Sequence, residues 1–188
     1  METSMDRTLV ERAQQGDHAA FTELAESATN RLYAVATLIL RDPDRAQDAV
    51  QDALVSAWRD VRALRDPEAW DAWLHRLVVR SCYREADRRR RSLRIDNAME
   101  WTPATVDDSG SSLADRDQIE RGFRRLSVEE CSILVLHFHA GLSASETGDV
   151  LGVSEGAARS RLHRALRSMR AALEADARTT QYNPGRPA

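Results

Sequence analysis

Apolar residues in this chain recur every three or four positions and almost never alternate, a period that predicts helices and no strands. Across residues 19–40 the repeat is carried by Phe21, Leu24, Leu32, Val35, Leu38 and Ile39, until Arg41-Asp42-Pro43 ends it. Asp42 can then N-cap, and Pro43 open, a second helix reaching about residue 62. On that helix Ala46, Ala49, Val50, Ala53, Leu54, Ala57 and Trp58 share one broad arc, while Asp44, Asp48, Gln51 and Asp52 line the other side. Asp66-Pro67 repeats the start signal and predicts a third helix over 68–91. The pattern lapses and resumes near Gln118. Ser127 and Glu130 then have capping-box spacing ahead of Ile133, Leu134, Leu136 and Phe138, and Gly141 ends that helix.

The sharpest local signal spans residues 142–170. Ser143 and Glu146 form another capping box, Gly152 breaks the short helix it opens, and Ser154 can N-cap the next. At 100° per residue, Leu162, Ala165, Leu166, Met169 and Leu173 fall in one arc of this last helix. Arg159, His163, Arg167 and Arg170 fall in another, with Arg161 and Arg164 beyond it. One face packs and the rest is basic. That is the layout of a helix-turn-helix whose second helix enters a DNA major groove.

These elements predict an all-α chain of two small helical domains joined by a flexible acidic linker, the second containing the helix-turn-helix. The boundaries are 10–91 for the first domain, 92–117 for the linker and 118–173 for the second domain, with a disordered tail over 174–188. Pro103, Gly110 and a serine cluster mark the linker, and Pro184, Gly185 and Pro187 the tail.

Composition changes this picture only through its distribution. A formal net charge of −3 argues against nucleic acid, yet eight arginines against Glu85 and Asp87 occupy residues 76–94. Five carboxylates and no basic residue follow over 95–115. From Gly156 to Ala172 there are five arginines and no carboxylate, whereas a solvated face usually mixes signs. All 27 basic residues are arginine, a bias that reads as a GC-rich genome rather than as mechanism. Cys82 and Cys131 lie among apolar helical positions and read as buried thiols, and His137 and His139 have no ligand set around them. No phosphate loop, G-x-S-x-G or H-E-x-x-H occurs, so neither an enzyme nor a cofactor nor a metal is expected. No apolar run approaches the roughly 20 residues of a membrane span, and residues 1–12 lack a signal-peptide core. The expectation is a soluble, cytoplasmic protein without membrane insertion.

With both halves in view, the chain resembles the ECF class of bacterial RNA polymerase sigma factors. The resemblance is carried by Asp48-Ala49-Val50-Gln51-Asp52-Ala53 with Trp58, by Trp73-Leu74-His75-Arg76-Leu77 running into the arginines at 88–91, and by residues 142–167. It implies that Asp48, Gln51 and Asp52 face the polymerase clamp. It implies that the Trp73 helix captures the melted −10 strand, with Arg76, Arg80, Arg84 and Arg88 as a phosphate-facing stripe and Tyr83 as the stacking side chain. The loop at 65–69 resembles the one that pockets a flipped base, whereas Trp70 and Trp73 share an arc with Leu74 and Leu77 and read as core. In the last helix the resemblance implies that Arg159, Ser160, His163 and Arg164 approach −35 bases or adjacent phosphates, while Arg161 and Arg167 grip the backbone. Arg80 stands where many members carry Asn, which bears on which −10 bases are read, and Leu54 stands where an aromatic is common.

The implied partners are core RNA polymerase and promoter DNA, with an anti-sigma factor admitted as a regulator. The 26 linker residues could extend to roughly 85 Å, more than the roughly 68 Å of two turns of B-DNA. The competing reading is a conventional helix-turn-helix regulator that binds duplex DNA without polymerase, as a dimer on paired half-sites. An RNA-binding adaptor would use the arginine stripe but leave the turn motif without a role.

Overall fold

A computed structural model of the chain describes residues 2–95 and 113–181, and every regular element among them is helical. Residues 96–112 of the expected linker (92–117) and 182–188 of the expected tail (174–188) lie outside the described residues.

Aspartates set the helix starts of the N-terminal half. Asp17 accepts from the Ala19 and Ala20 backbone N–H groups and opens α2 (His18–Leu40). Its carboxyl is held below the usual range by the Ala20 N–H and by Arg12, whose guanidinium lies 2.7 Å away. Asp42 accepts from Arg45 N–H at 3.2 Å and Pro43 occupies the first position of α3 (Pro43–Asp60). Asp66 does cap the next segment, but Pro67–Ala69 is a 3₁₀ turn, so α4 (Trp70–Ile95) starts two residues later than the pattern predicts. Leu24, Leu32, Val35 and Ile39 of α2 meet Leu74, Val78, Val79 and Cys82 of α4 in the core. Ala46, Ala49, Ala53 and Ala57 let α3 lie close against both.

A further helix, α1 (Glu2–Gln14), is absent from the sequence-based expectation. Its later turns bury Leu9, Val10 and Ala13, and Gln14 anchors it by donating to the Leu64 carbonyl at 2.6 Å.

The C-terminal half holds α5 (Leu113–Arg124), α6 (Val128–Leu134), α7 (Ala144–Leu151) and α8 (Glu155–Gln181). Both arms of the Ser127–Glu130 box form. Gly122 lets α5 meet α8, because a Cβ there would stand 2.5 Å from Met169 Sδ. Val135–His139 is a π-helical turn, closed by Ala140 N–H to Val135 O, and it leads into Gly141 at φ 71. Val135 and Leu136 are buried, whereas Phe138 is 63% exposed, against its expected place with the core positions. The wider turn rotates the helix face by one residue.

Three boundaries differ from expectation. α4 continues to Ile95, α5 begins at Leu113 and α8 continues to Gln181, because helix formers run on in each case without Gly or Pro to stop them. The two halves also touch. Val135, Leu136 and Val150 join the apolar core of the N-terminal half, and α7 lies against α4.

Leu32 is fully enclosed between α2 and its neighbours, so Leu32→Ala is expected to cost about 2–5 kcal/mol in urea unfolding. His75 is buried, with Nδ1–H donating to the Asp71 carbonyl. Burial lowers its pKa from the ordinary 6.5; the Asp71 carbonyl opposes this, and Arg31 and His139 add to it. Protons therefore prefer the unfolded chain. The stability that neutral His75 supplies above pH 6.5 is lost as pH falls through and below that value, and His75→Gln should flatten the decline in a pH series of thermal melts.

Candidate nucleic-acid interface

The turn between α7 and α8 is fixed from both sides. Glu146 N–H donates to Ser143 Oγ at 3.2 Å and Ser143 N–H to Glu146 Oε2 at 2.8 Å, bonds that hold the Glu146 carboxyl below its ordinary pKa. Gly152 takes the left-handed conformation at φ 68, and Val153 N–H returns to the Gly148 carbonyl. Gly148 is required by proximity: a Cβ on it would stand 2.8 Å from the Val153 carbonyl oxygen. Ala157 N–H reaches Ser154 Oγ at 3.3 Å at the start of α8.

This geometry orients α8. Ala158, Ala165 and Ala172 are buried along one line, flanked by half-buried Leu162, Met169 and Leu173. Leu166, expected on that face, is 39% exposed. Ser168 donates to Glu130 at 2.6 Å and ties α8 to α6. Partial burial raises the Glu130 pKa, but hydrogen bonds with Ser168 and Ser127 and the Arg164 charge outweigh it, leaving the carboxyl below its ordinary range. Arg159, Ser160, Arg161, His163, Arg164 and Arg167 are all exposed. Arg159 also pairs with Glu155 one turn earlier. The six expected reading residues therefore share one accessible helix.

The α4 residues are placed less uniformly. Arg80, Arg84 and Arg88 are exposed, Arg84 donating to Ser81 Oγ and Arg88 pairing with buried Glu85. Arg76 and Tyr83 are not open surface in this arrangement. Arg76 donates to the Asp149 carbonyl at the end of α7, and half-buried Tyr83 lies beside Ser132 of α6. Burial raises the Tyr83 pKa, and the neighbouring Ser132 opposes the rise. Trp70 is buried and Trp73 half-buried, in edge or tilted contact with Phe21 and with each other, as core residues should be.

On α3, Asp48 and Gln51 are exposed, while Asp52 lies 3.7 Å from Arg88 across the α3–α4 contact. Two residues expected to meet different partners thus meet each other. Beside Gln51 an apolar groove of about 630 Å³ opens between α2 and α3, lined by Phe21, Tyr33, Val50, Leu54, Val55 and Trp58. Val55 is 59% and Tyr33 38% exposed. Sequence reasoning missed this groove because Val55 falls on the polar side of α3 and Tyr33 on α2 is spaced like a core residue.

Cys82 and Cys131 are buried free thiols, pushed up to about 12 and about 11 by desolvation, so neither presents a thiolate. Among the described residues no helix is long and apolar enough to cross a membrane.

Residues 24–92 match the family model of sigma-70 region 2, and residues 122–171 match that of sigma-70 region 4. Over 150 residues the chain is 35% identical to the ECF RNA polymerase sigma factor SigM of Mycobacterium tuberculosis, covering 80% of this chain and 75% of that one. It is 32% identical to the RNA polymerase sigma-E factor of Streptomyces avermitilis over 85% of this chain and 88% of the other. The structure of CnrH in complex with the cytosolic domain of CnrY superposes with a TM-score of 0.66 at 25% identity, covering 92% of this chain and 99% of that one. Sigma factor RpoE of Bartonella quintana, in complex with the anti-sigma factor NepR, superposes with a TM-score of 0.71 at 24% identity over 83% of this chain and 98% of the other. Arginine-faced helices in both halves, a doubly capped helix-turn-helix and two family models in order converge: the chain belongs to the ECF class of RNA polymerase sigma factors.

Proposed function

We propose that this sigma factor divides its work among three helices. It binds core RNA polymerase, directs it to promoters and helps open the −10 region. In this reading α3 docks on the clamp through Asp48 and Gln51 and the adjoining apolar groove. Arg80, Arg84 and Arg88 of α4, with Arg76 and Tyr83 once uncovered, hold the unpaired −10 strand. α8 reads the −35 duplex through Arg159, Ser160, His163 and Arg164, while Arg161 and Arg167 grip phosphates. The chain performs no chemistry of its own and works in the cytoplasm, where the polymerase is.

The observation that carries the reading is the arginine face of α8, exposed along its length and aimed by a turn that tolerates no side chain at position 148. A guanidinium presents a planar fork that bonds bidentately to guanine, worth about 1–3 kcal/mol of discrimination per base. The same fork grips phosphate. Holding the strand along α4 lowers the cost of opening, because the unpaired state then gains contacts that the duplex lacks.

Arg164→Ala should weaken use of the −35 element by about 1–3 kcal/mol while binding to core polymerase stays unchanged. Asp48→Arg should do the reverse, weakening capture of polymerase while the free chain keeps its affinity for duplex DNA. Pull-down of core enzyme and transcription from a mapped promoter check both. Equal loss of both activities in each variant would contradict the division of labour, and a chain with no affinity for polymerase would leave only a conventional regulator.

A further inference from the structure

One carboxylate of the C-terminal half is anchored on two helices at once. Glu130 occupies the third position of α6, and its Oε2 accepts from the Ser127 backbone N–H at 2.9 Å as one arm of the capping box. Its Oε1 accepts from Ser168 Oγ of α8 at 2.6 Å. The cap needs only the first of these bonds. With both oxygens engaged, the half-buried carboxylate cannot swing, and its charge stands at a fixed point beside α8.

That point lies next to an arginine of the reading face. Arg164 precedes Ser168 by one helical turn, which puts the two side chains on the same side of α8. The Arg164 charge acts on the Glu130 carboxylate, while Arg164 itself stays exposed. The Arg159–Glu155 pair is built differently, from two exposed side chains one turn apart on α8 alone. A carboxylate beside a face that meets DNA repels phosphates, so its placement lowers general affinity. What it supplies in return is direction. An arginine drawn to a fixed charge keeps its planar fork oriented and loses less freedom when it meets a base.

We propose that Glu130 is a positioning residue for promoter recognition: its anchored carboxylate directs the Arg164 guanidinium toward a −35 base pair and weakens its hold on backbone phosphates. The proposal rests on the reading of Arg164 as a base contact. A guanidinium carries five donors, so one edge can face Glu130 while the fork meets a guanine. Attraction to phosphates is independent of sequence, and the acid offsets it at this one arginine. Glu130 itself contacts no base in this scheme and acts only through Arg164.

The test uses the full chain bound to core polymerase, on duplex carrying a mapped promoter whose −35 pairs are substituted one at a time. Fluorescence anisotropy gives the preference for each native pair, and a salt series on unrelated duplex gives the sequence-independent part. Arg164→Ala identifies the pair that Arg164 reads, as the one whose substitution no longer matters. Glu130→Gln removes the charge but keeps a side chain that serves in capping boxes and can still hydrogen-bond Ser168. It should lower the preference at the Arg164 pair by about threefold to tenfold and leave the other pairs unchanged. It should also bind unrelated duplex more tightly, with a steeper salt dependence. Added to Arg164→Ala it should change discrimination no further, because no guanidinium is left to direct. Ser168→Ala keeps the charge and the cap but frees one oxygen, so it should shift the same preference in the same direction, and circular dichroism verifies that each variant is folded. A loss spread over every −35 pair, or one that persists in the Arg164→Ala background, would mark a purely structural role and overturn the proposal. Unchanged preference in both Glu130→Gln and Ser168→Ala, with Arg164→Ala losing its pair, would overturn it too while the reading of Arg164 survives. Arg164→Ala that alters no pair would sink that reading and the positioning role together.

Discussion

Everything in this chain turns on the burden carried by α4. Its Leu74, Val78, Val79 and Cys82 complete the N-terminal core, so the helix cannot move without unfolding that domain. The adjoining arc carries Arg76, Arg80, Tyr83 and Arg84, which are thereby held in fixed register along about two turns of helix. A rigid row of this kind suits a partner with a regular repeat of negative charge. It also suits the carbonyl ends of neighbouring helices, and the α7 end satisfies Arg76 here.

The C-terminal half solves the complementary problem of aiming a helix that has little apolar surface of its own. α8 buries only a line of alanines with Leu162, Met169 and Leu173 beside it. Such a narrow seam gives weak orientation unless the turn before it is stiff. The reciprocal Ser143–Glu146 bonds, the left-handed Gly152 and the close approach at Gly148 supply that stiffness, and the Ser168–Glu130 bond fixes the far end. Small core residues on α8 leave the arginines on its other faces free to approach DNA closely.

Local signals survived translation into structure, and long-range ones did not. Asp42-Pro43, Ser127-x-x-Glu130 and Ser143-x-x-Glu146 each act within one helical turn, and each forms as its spacing requires. The helical period placed the buried residues of α3 for the same reason, with Leu24, Leu32, Val35 and Ile39 of α2 and Ala165 of α8, while Leu166 fell outside the buried line. α1 was illegible because so few apolar residues make a helix only when α2 and the 3₁₀ turns after α3 are there to bury them. The π-turn at Val135–His139 shifted Phe138 out of the core because an insertion in the hydrogen-bond ladder breaks the period on which the reading depends. The Arg88–Asp52 and Arg76–Asp149 contacts join residues 36 and 73 positions apart, and nothing in their own spacing announces them.

The absence of lysine, a matter of composition at the level of the sequence, acquires a structural consequence here. An ammonium is a compact, strongly hydrated charge, whereas a guanidinium is weakly hydrated, planar and able to lie half-buried while two of its edges bond in different directions. Arg41 and Arg76 use that property to reach helix-end carbonyls across a domain boundary, and Arg88 uses it to bridge Glu85 and Asp52 at once. In the proposed function the same fork serves on α8 for bases and phosphates. A chain that employs one side chain for both internal fastening and nucleic-acid contact places the two uses in competition wherever a fastened arginine lies on a face that DNA could occupy. Arg76 is such a residue: the guanidinium proposed to contact the −10 strand is already bonded to the Asp149 carbonyl.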